Sequence, residues 1–213
     1  MRRHLILVSA LVAVGCADTT DSVPTAIDQT QRAIRNGTRD PEALDLSDGQ
    51  LLALGWLHSR GRAAQPFCTG TLISPNVVAT ARHCIEGRTG SRIAFGVGQH
   101  PEDPAATFPV AAAYGHPDLD AAVLILGEDA TDRLPELVPI RHNRVALTDE
   151  IVGREVQAGG FGETYDPSRS GRYFATVELI GVQRTEITVD GRGRQGICFG
   201  DSGGPVMTTD EAG

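Results

Sequence analysis

Lysine is absent from this 213-residue chain: all 19 of its Lys or Arg positions are arginine. The absence removes every chemistry that needs a lysine amine, namely P-loop phosphate binding, Schiff-base formation and a Ser–Lys dyad. An excess of positive charge is also lacking, since 19 basic minus 27 acidic side chains leaves −8. That sign argues against a protein that holds nucleic acid by releasing phosphate counterions. Long apolar runs are missing as well. The longest, residues 5–14 (LILVSALVAV), has ten residues, well short of the roughly 20 that a membrane-spanning helix needs. No segment keeps a helical period for three turns, and no internal repeat is present. What remains, at 40% hydrophobic and 22% charged residues, is an ordinary globular composition. The length suits one large domain or two small ones sharing an interface.

Residues 1–16 read as an export signal. Arg2, Arg3 and His4 form a basic start, the ten-residue apolar run follows, and the segment ends Ala13-Val14-Gly15-Cys16. This ending resembles a bacterial lipoprotein box, in which the Cys is acylated and becomes the new N-terminus; Ala13 stands where that box usually has Leu. Lipidation of Cys16 is the expectation, with ordinary cleavage after Gly15 or Ala17 as the alternative. Residues 17–33, rich in Thr, Asp and Ser, read as a tether or pro-segment.

Beyond residue 50 the chain is a succession of short apolar or alternating runs broken by Gly, Pro, Asp and Arg. Strands are predicted at 51–57, 69–74, 76–80, 92–97, 121–126, 154–158, 173–182, 184–189 and 204–208, with one short helical turn at 81–86. This is the pattern of an all-β sandwich or barrel. The stretch 159–162 (GGFG) has a simple explanation as a tight turn.

Three local motifs carry chemistry. They are Thr80-Ala81-Arg82-His83-Cys84, then Asp118-Leu119-Asp120-Ala121-Ala122, then Gly200-Asp201-Ser202-Gly203-Gly204-Pro205. A serine hydroxyl is a weak nucleophile until a base takes its proton. Histidine is the side chain suited to that task, and a buried carboxylate can fix its tautomer and stabilise the imidazolium. Glycines beside Ser202 allow backbone N–H groups to converge on an oxyanion. Taken alone, a His before a Cys is more often structural, and an Asp before an apolar strand is usually a turn or cap residue. The string GDSGGP is more specific.

Together, and in the order His, Asp, Ser, these motifs resemble the chymotrypsin/trypsin-like (S1) serine endopeptidases over roughly residues 34–208. Cys68-Thr69-Gly70-Thr71-Leu72-Ile73-Ser74 is similar to that family's Cys-Gly-Gly-Thr-Leu-Ile-Ser, and Thr80–Cys84 to its Thr-Ala-Ala-His-Cys. Gly159-Gly160-Phe161-Gly162 is similar to its Gly-Trp-Gly strand. The resemblance implies two Greek-key six-stranded β-barrels and a catalytic His83, Asp120 and Ser202, with Asp118 the lesser candidate for the acid. It implies an oxyanion hole at the N–H groups of Gly200 and Ser202, and a disulfide between Cys68 and Cys84. Closing that loop of about 15 residues contributes ~3 kcal/mol in the chain-entropy model. It also implies a specificity pocket whose base is Gly196, where the lack of an acid gives no preference for Arg or Lys. Ile34, in Ile34-Arg35-Asn36-Gly37, matches the start of the mature enzymes, where the freed amine pairs with the Asp before the nucleophile, here Asp201.

Polypeptide substrates follow from the resemblance, and neither a cofactor nor a metal does. An extracytoplasmic location follows from the signal, either secreted or lipid-anchored at a bacterial cell envelope. In the family the chain continues beyond the nucleophile to complete the second barrel, so residues 34–213 are expected to form a protease domain lacking its C-terminal part. Cys198 is then left without its partner, and Val206 and Met207 without cover. Two other readings stand beside it: a catalytically incompetent protease-fold binding homologue or fragment, and a serine esterase on another scaffold. The His-Asp-Ser order disfavours the esterase, because α/β-hydrolases run Ser, Asp, His.

Overall fold

The computed structural model describes residues 36–162, 170–197 and 199–209, together with the backbone of His4–Leu7. Among the described residues, twelve strands form two sheets. In chain order they are β1 (His4–Leu7), β2 (Leu54–Ser59), β3 (Pro66–Ser74), β4 (Val77–Thr80), β5 (Ile93–Val97) and β6 (Ala106–Gly115). The others are β7 (Ala122–Leu126), β8 (Arg141–His142), β9 (Glu155–Gly160), β10 (Tyr173–Val182), β11 (Ile187–Asp190) and β12 (Val206–Thr209). Two short helices accompany them, α1 (Asp48–Ala53) and α2 (Ala130–Arg133).

The first sheet closes into a barrel in the order β2-β3-β4-β7-β6-β5, with β5 pairing back onto β2. Its interior is filled by Leu57, Leu72, Val78, Phe95, Phe108, Val110 and Leu124, all without measurable exposure. The second sheet runs β11-β10-β9-β12-β1-β8. Its β9–β10 pair is in register from Tyr173↔Gly160 to Glu178↔Glu155. The backbone of β1 bridges two edges, antiparallel to β12 and parallel to β8. The all-β expectation holds; one six-stranded barrel is closed, and the second sheet is open among the described residues.

Three expectations about elements need correction. The segment 51–57 is not one strand: its first three residues belong to α1. Ser47 caps that helix in a reciprocal box, its Oγ accepting from Gln50 N–H while Gln50 Oε1 accepts from Ser47 N–H. Only at Leu54 does the chain turn extended. Gly159 and Gly160 do not form a tight turn but lie inside β9. Val206 and Met207 are both 1% exposed rather than uncovered. β12 is paired on both sides, and Met207 packs into the same core as the first barrel, while Val206 joins the core between β9, β10 and β11.

The segment before α1 is laced to the second sheet. Thr38 and Phe174 exchange both backbone hydrogen bonds, and the buried Gln157 Oε1 accepts from the N–H groups of Glu42 and Ala43. Asn36 reaches the carbonyl of Arg194.

Candidate active site

β4 pairs antiparallel with β7 through Thr80↔Ala122, so the chain leaving β4 and the chain entering β7 emerge side by side. His83 sits in a 3₁₀ turn just after β4, and Asp120 lies just before β7. The turn is pinned to β3 by the expected Cys68–Cys84 disulfide, with Cα atoms 6.1 Å apart. Arg82 steadies the opposite side, its Nη1 donating to the carbonyls of His116 and Pro117.

His83 Nδ1 is 2.6 Å from Asp120 Oδ2, and the His83 backbone N–H donates to Asp120 Oδ1 at 2.8 Å. An ionised carboxylate only accepts, so the ring proton belongs on Nδ1 and Nε2 keeps a free lone pair. Partial burial works to raise the Asp120 carboxyl, but the hydrogen bonds and charge of His83, with help from the Arg82 backbone, outweigh it. The carboxyl therefore lies below its ordinary value. The pair is more open than the sequence suggested: the carboxylate is not buried, and the side chains are 47% (His83) and 38% (Asp120) exposed. Asp118 makes no such contact; its N–H and that of Leu119 donate to His116 Nδ1.

Ser202 lies in a tight turn pressed against the first barrel. Its carbonyl accepts from Thr69 N–H at 2.8 Å and sits 3.7 Å from the disulfide sulfur of Cys84, the residue after His83. Gly203 has φ +81°, and a Cβ there would come within 2.2 Å of Thr80 Oγ1 and 2.8 Å of Ala81 N. Only glycine allows this approach. Among the described residues, Ser202 Oγ and His83 Nε2 share no hydrogen bond.

Asp201 is 1% exposed, and its Oδ1 accepts from Gly162 N–H at 2.8 Å. Cβ atoms on Gly160 or Gly162 would fall within 2.2 and 2.7 Å of that carboxylate, which is why the GGFG string is needed. From the sequence the string reads as a tight turn or as a family resemblance; its function as a cradle for Asp201 is not visible there. Gly196 is half-buried, with nothing within 4 Å of where its Cβ would stand. Cys16, Ile34 and Cys198 lie outside the described residues.

Other polar groups offer less. His58 is buried on β2 with Nδ1 against the Ser59 carbonyl, and burial lowers its pKa. Cys68, His83 and Cys84 bring their donor atoms within 4.8 Å of one another, but both sulfurs are consumed by the disulfide. A groove of about 1130 Å³ is bordered by Leu119, Val123, His142, Leu147, Val182 and Ile187. Neither His83 nor Ser202 lines it, so it is not where the reacting atoms meet.

A closed β-barrel joined to a second sheet, with a His–Asp pair on the first and a Gly-Asp-Ser-Gly turn leading into the second, defines the trypsin-like class. The trypsin family profile matches residues 53–213. Brachyurin of Leptuca pugilator is 30% identical over 160 residues, covering 66% of this chain and 70% of that protein. Trypsin 5G1 of Aedes aegypti is 28% identical over 172 residues, 69% of this chain and 63% of its own. Chymotrypsin of Phaedon cochleariae is 26% identical over 161 residues, 66% and 58%. The chain thus spans 58% to 70% of the length of these relatives. The structure of neuropsin, a serine protease expressed in the limbic system of mouse brain, superposes with a TM-score of 0.61 at 17% identity, covering 78% of this chain and 80% of that one. The chain belongs to the trypsin family.

Proposed function

We propose that the protein is a serine endopeptidase working through His83, Asp120 and Ser202. Ser202 Oγ attacks the peptide carbonyl carbon while its proton passes to His83 Nε2. Asp120 holds the ring in the tautomer that leaves Nε2 free, and stabilises the imidazolium that results. The carbonyl oxygen, now carrying the negative charge, is met by the N–H groups of Gly200 and Ser202. Collapse breaks the C–N bond, the imidazolium protonates the leaving amine, and the acyl group stays on Ser202. Water, deprotonated by His83, then releases it.

The observation that carries this reading is the His83–Asp120 pairing at 2.6 Å with the Ser202 turn seated on Cys84. The missing Ser202–His83 contact does not oppose it, since such bonds are often long before substrate closes the site. The open space at Gly196 fits a pocket without a cationic preference. Asp201, held against Gly162, is the expected partner for a freed Ile34 amine.

The Cys68–Cys84 disulfide fits an oxidising compartment and supports export, and the ending of the signal points to lipid on Cys16. Mass spectrometry of the mature N-terminus tests this: a diacylated Cys16 is expected, and an unmodified start at or after Ala17 refutes it.

One observation favours the rival reading, a protease-fold binding protein: Asp120 is 38% exposed where a working triad shelters its acid. A fluorophosphonate probe separates the two. The endopeptidase reading expects labelling at Ser202, abolished by Ser202→Ala, and hydrolysis of peptides as well as esters. Folded protein that takes no label supports the binding homologue.

A further inference from the structure

Thr69 is without exposure and touches the Ser202 turn with every polar atom it has, directly or through one neighbour. Its N–H donates to the Ser202 carbonyl at 2.8 Å, and its Oγ1 donates to the Gly200 carbonyl at 2.9 Å. The same oxygen accepts from Phe161 N–H at 2.9 Å, and the Thr69 carbonyl accepts from Thr80 Oγ1 at 2.8 Å. The roles are forced, because the Phe161 amide can only donate and the Gly200 carbonyl can only accept. The hydroxyl hydrogen therefore has one possible direction.

The two carbonyls held by Thr69 bracket the peptide that carries Ser202 N–H. Fixing the Gly200 carbonyl sets the plane of the peptide joining residues 200 and 201. Fixing the Ser202 carbonyl sets the plane joining 202 and 203. Between them, Asp201 is held by Gly162 N–H, next to the Phe161 amide that Thr69 also binds. Gly200 has φ +91°, a conformation open to glycine that needs outside contacts to hold one orientation. The family strand that this segment resembles has glycine where Thr69 stands. The hydroxyl bridge from the first barrel to both Gly200 and Phe161 is thus a feature of this chain.

We propose that Thr69 is a positioning residue for the oxyanion hole, its hydroxyl holding the Gly200–Ser202 backbone in the orientation that binds the charged tetrahedral intermediate. It touches neither substrate nor the reacting atoms. The inference rests on the endopeptidase reading.

The test uses the full gene product and the p-nitroanilide peptide that it cleaves fastest from a panel of apolar, acidic and basic sequences. Thr69→Val keeps the shape and removes the hydroxyl. Loss of a whole oxyanion donor costs about 10²–10³ in kcat, so misalignment should cost roughly 10- to 100-fold with KM little changed. Inhibition by a peptidyl trifluoromethyl ketone, whose adduct bears the oxyanion, should weaken by a similar factor. Thr69→Ser, which keeps the oxygen, should restore kcat to within about threefold, since the chemistry of the bridge is intact. Thr69→Ala gives the same measurement should the valine variant fail to fold. Wild-type kcat in a folded hydroxyl-free variant, or an equal loss in Thr69→Ser, overturns the proposal. Turnover that survives Ser202→Ala overturns the endopeptidase reading instead, whatever Thr69 does.

Discussion

At the scale of single residues, Asp120 and Asp118 are two acids two positions apart in very different situations. Asp120 accepts from both the ring and the backbone of His83, whereas among the described residues Asp118 interacts through its N–H alone. In Asp120→Asn an amide can donate to the ring and turn the free lone pair away from the nucleophile. The loss in the family's template enzymes, about 10⁴ in kcat, is carried over to this position. Asp118→Asn is expected to leave kcat within about twofold, as exposed substitutions usually do. Steady-state kinetics on the two variants decide the matter, and an equal or larger effect at Asp118 means the acid is wrongly assigned. There is a stability counterpart with a definite sign. A carboxyl held below its ordinary value stabilises the fold above that ordinary value, and the contribution fades as pH falls through the lowered one. Asp120→Asn should therefore flatten part of the acid limb of Tm against pH. The positions of His83, Asp120 and Ser202 were legible because each lies in a short contiguous string. Thr69 was not, since its hydroxyl partners lie 92 and 131 residues away and no local pattern marks them.

Among elements, most strands were readable because apolar alternation is strong in them, β10 above all, and their errors are confined to ends. β6 was missed although it is ten residues long. Its Ala-rich sequence lacks β-branched residues except Thr107 and Val110, and Pro109 reads as a breaker. The barrel accommodates that proline because pairing with β7 begins only at Val110↔Leu126. α1 was misread because Leu51 and Leu52 merge with the apolar run of β2, and the deciding signal was the Ser47–Gln50 box upstream. The helix also contains Gly49, which invites a stabilising Gly→Ala change worth about 1 kcal/mol in propensity. Here the packing reverses the sign. A Cβ at Gly49 would stand 2.2 Å from the Glu136 carbonyl oxygen and 2.8 Å from Val138 Cγ2, and the Val138 N–H also binds the Gly49 carbonyl. Overpacking against backbone costs typically 1–3 kcal/mol, so Gly49→Ala is expected to lower stability in a denaturant titration. A raised midpoint would mean that the 136–138 segment yields easily.

Across the whole molecule, the unanticipated feature is how far the two sheets share one core. Strand spacing implies an all-β sandwich or barrel and the family resemblance implies two barrels. Neither describes the seam, because seam contacts join residues far apart in sequence, such as Thr69 and Phe161, 92 positions apart. Phe174 of β10 and Met207 of β12 belong to the core of the first barrel, and Phe161 packs on Trp56 with ring centroids 4.9 Å apart. Arg172 crosses the same seam, its buried guanidinium donating to the Leu51 carbonyl at 2.6 Å. Burial pushes its pKa down to about 10 despite the nearby Asp40, so it still carries its charge at neutral pH. Two units joined this way should unfold as one. Trp56 is the single tryptophan and has no exposed surface, so its fluorescence reports the first barrel and its seam with Phe161, while far-UV circular dichroism reports both sheets. Phe174→Ala empties a fully buried position at a cost of about 3–5 kcal/mol, a large share of the ~5–15 kcal/mol that holds a typical domain. Both signals should move to lower denaturant by the same amount, each remaining a single transition. If the circular dichroism midpoint falls while the Trp56 midpoint stays in place, Phe174 serves the second sheet only and the shared core does not couple the halves.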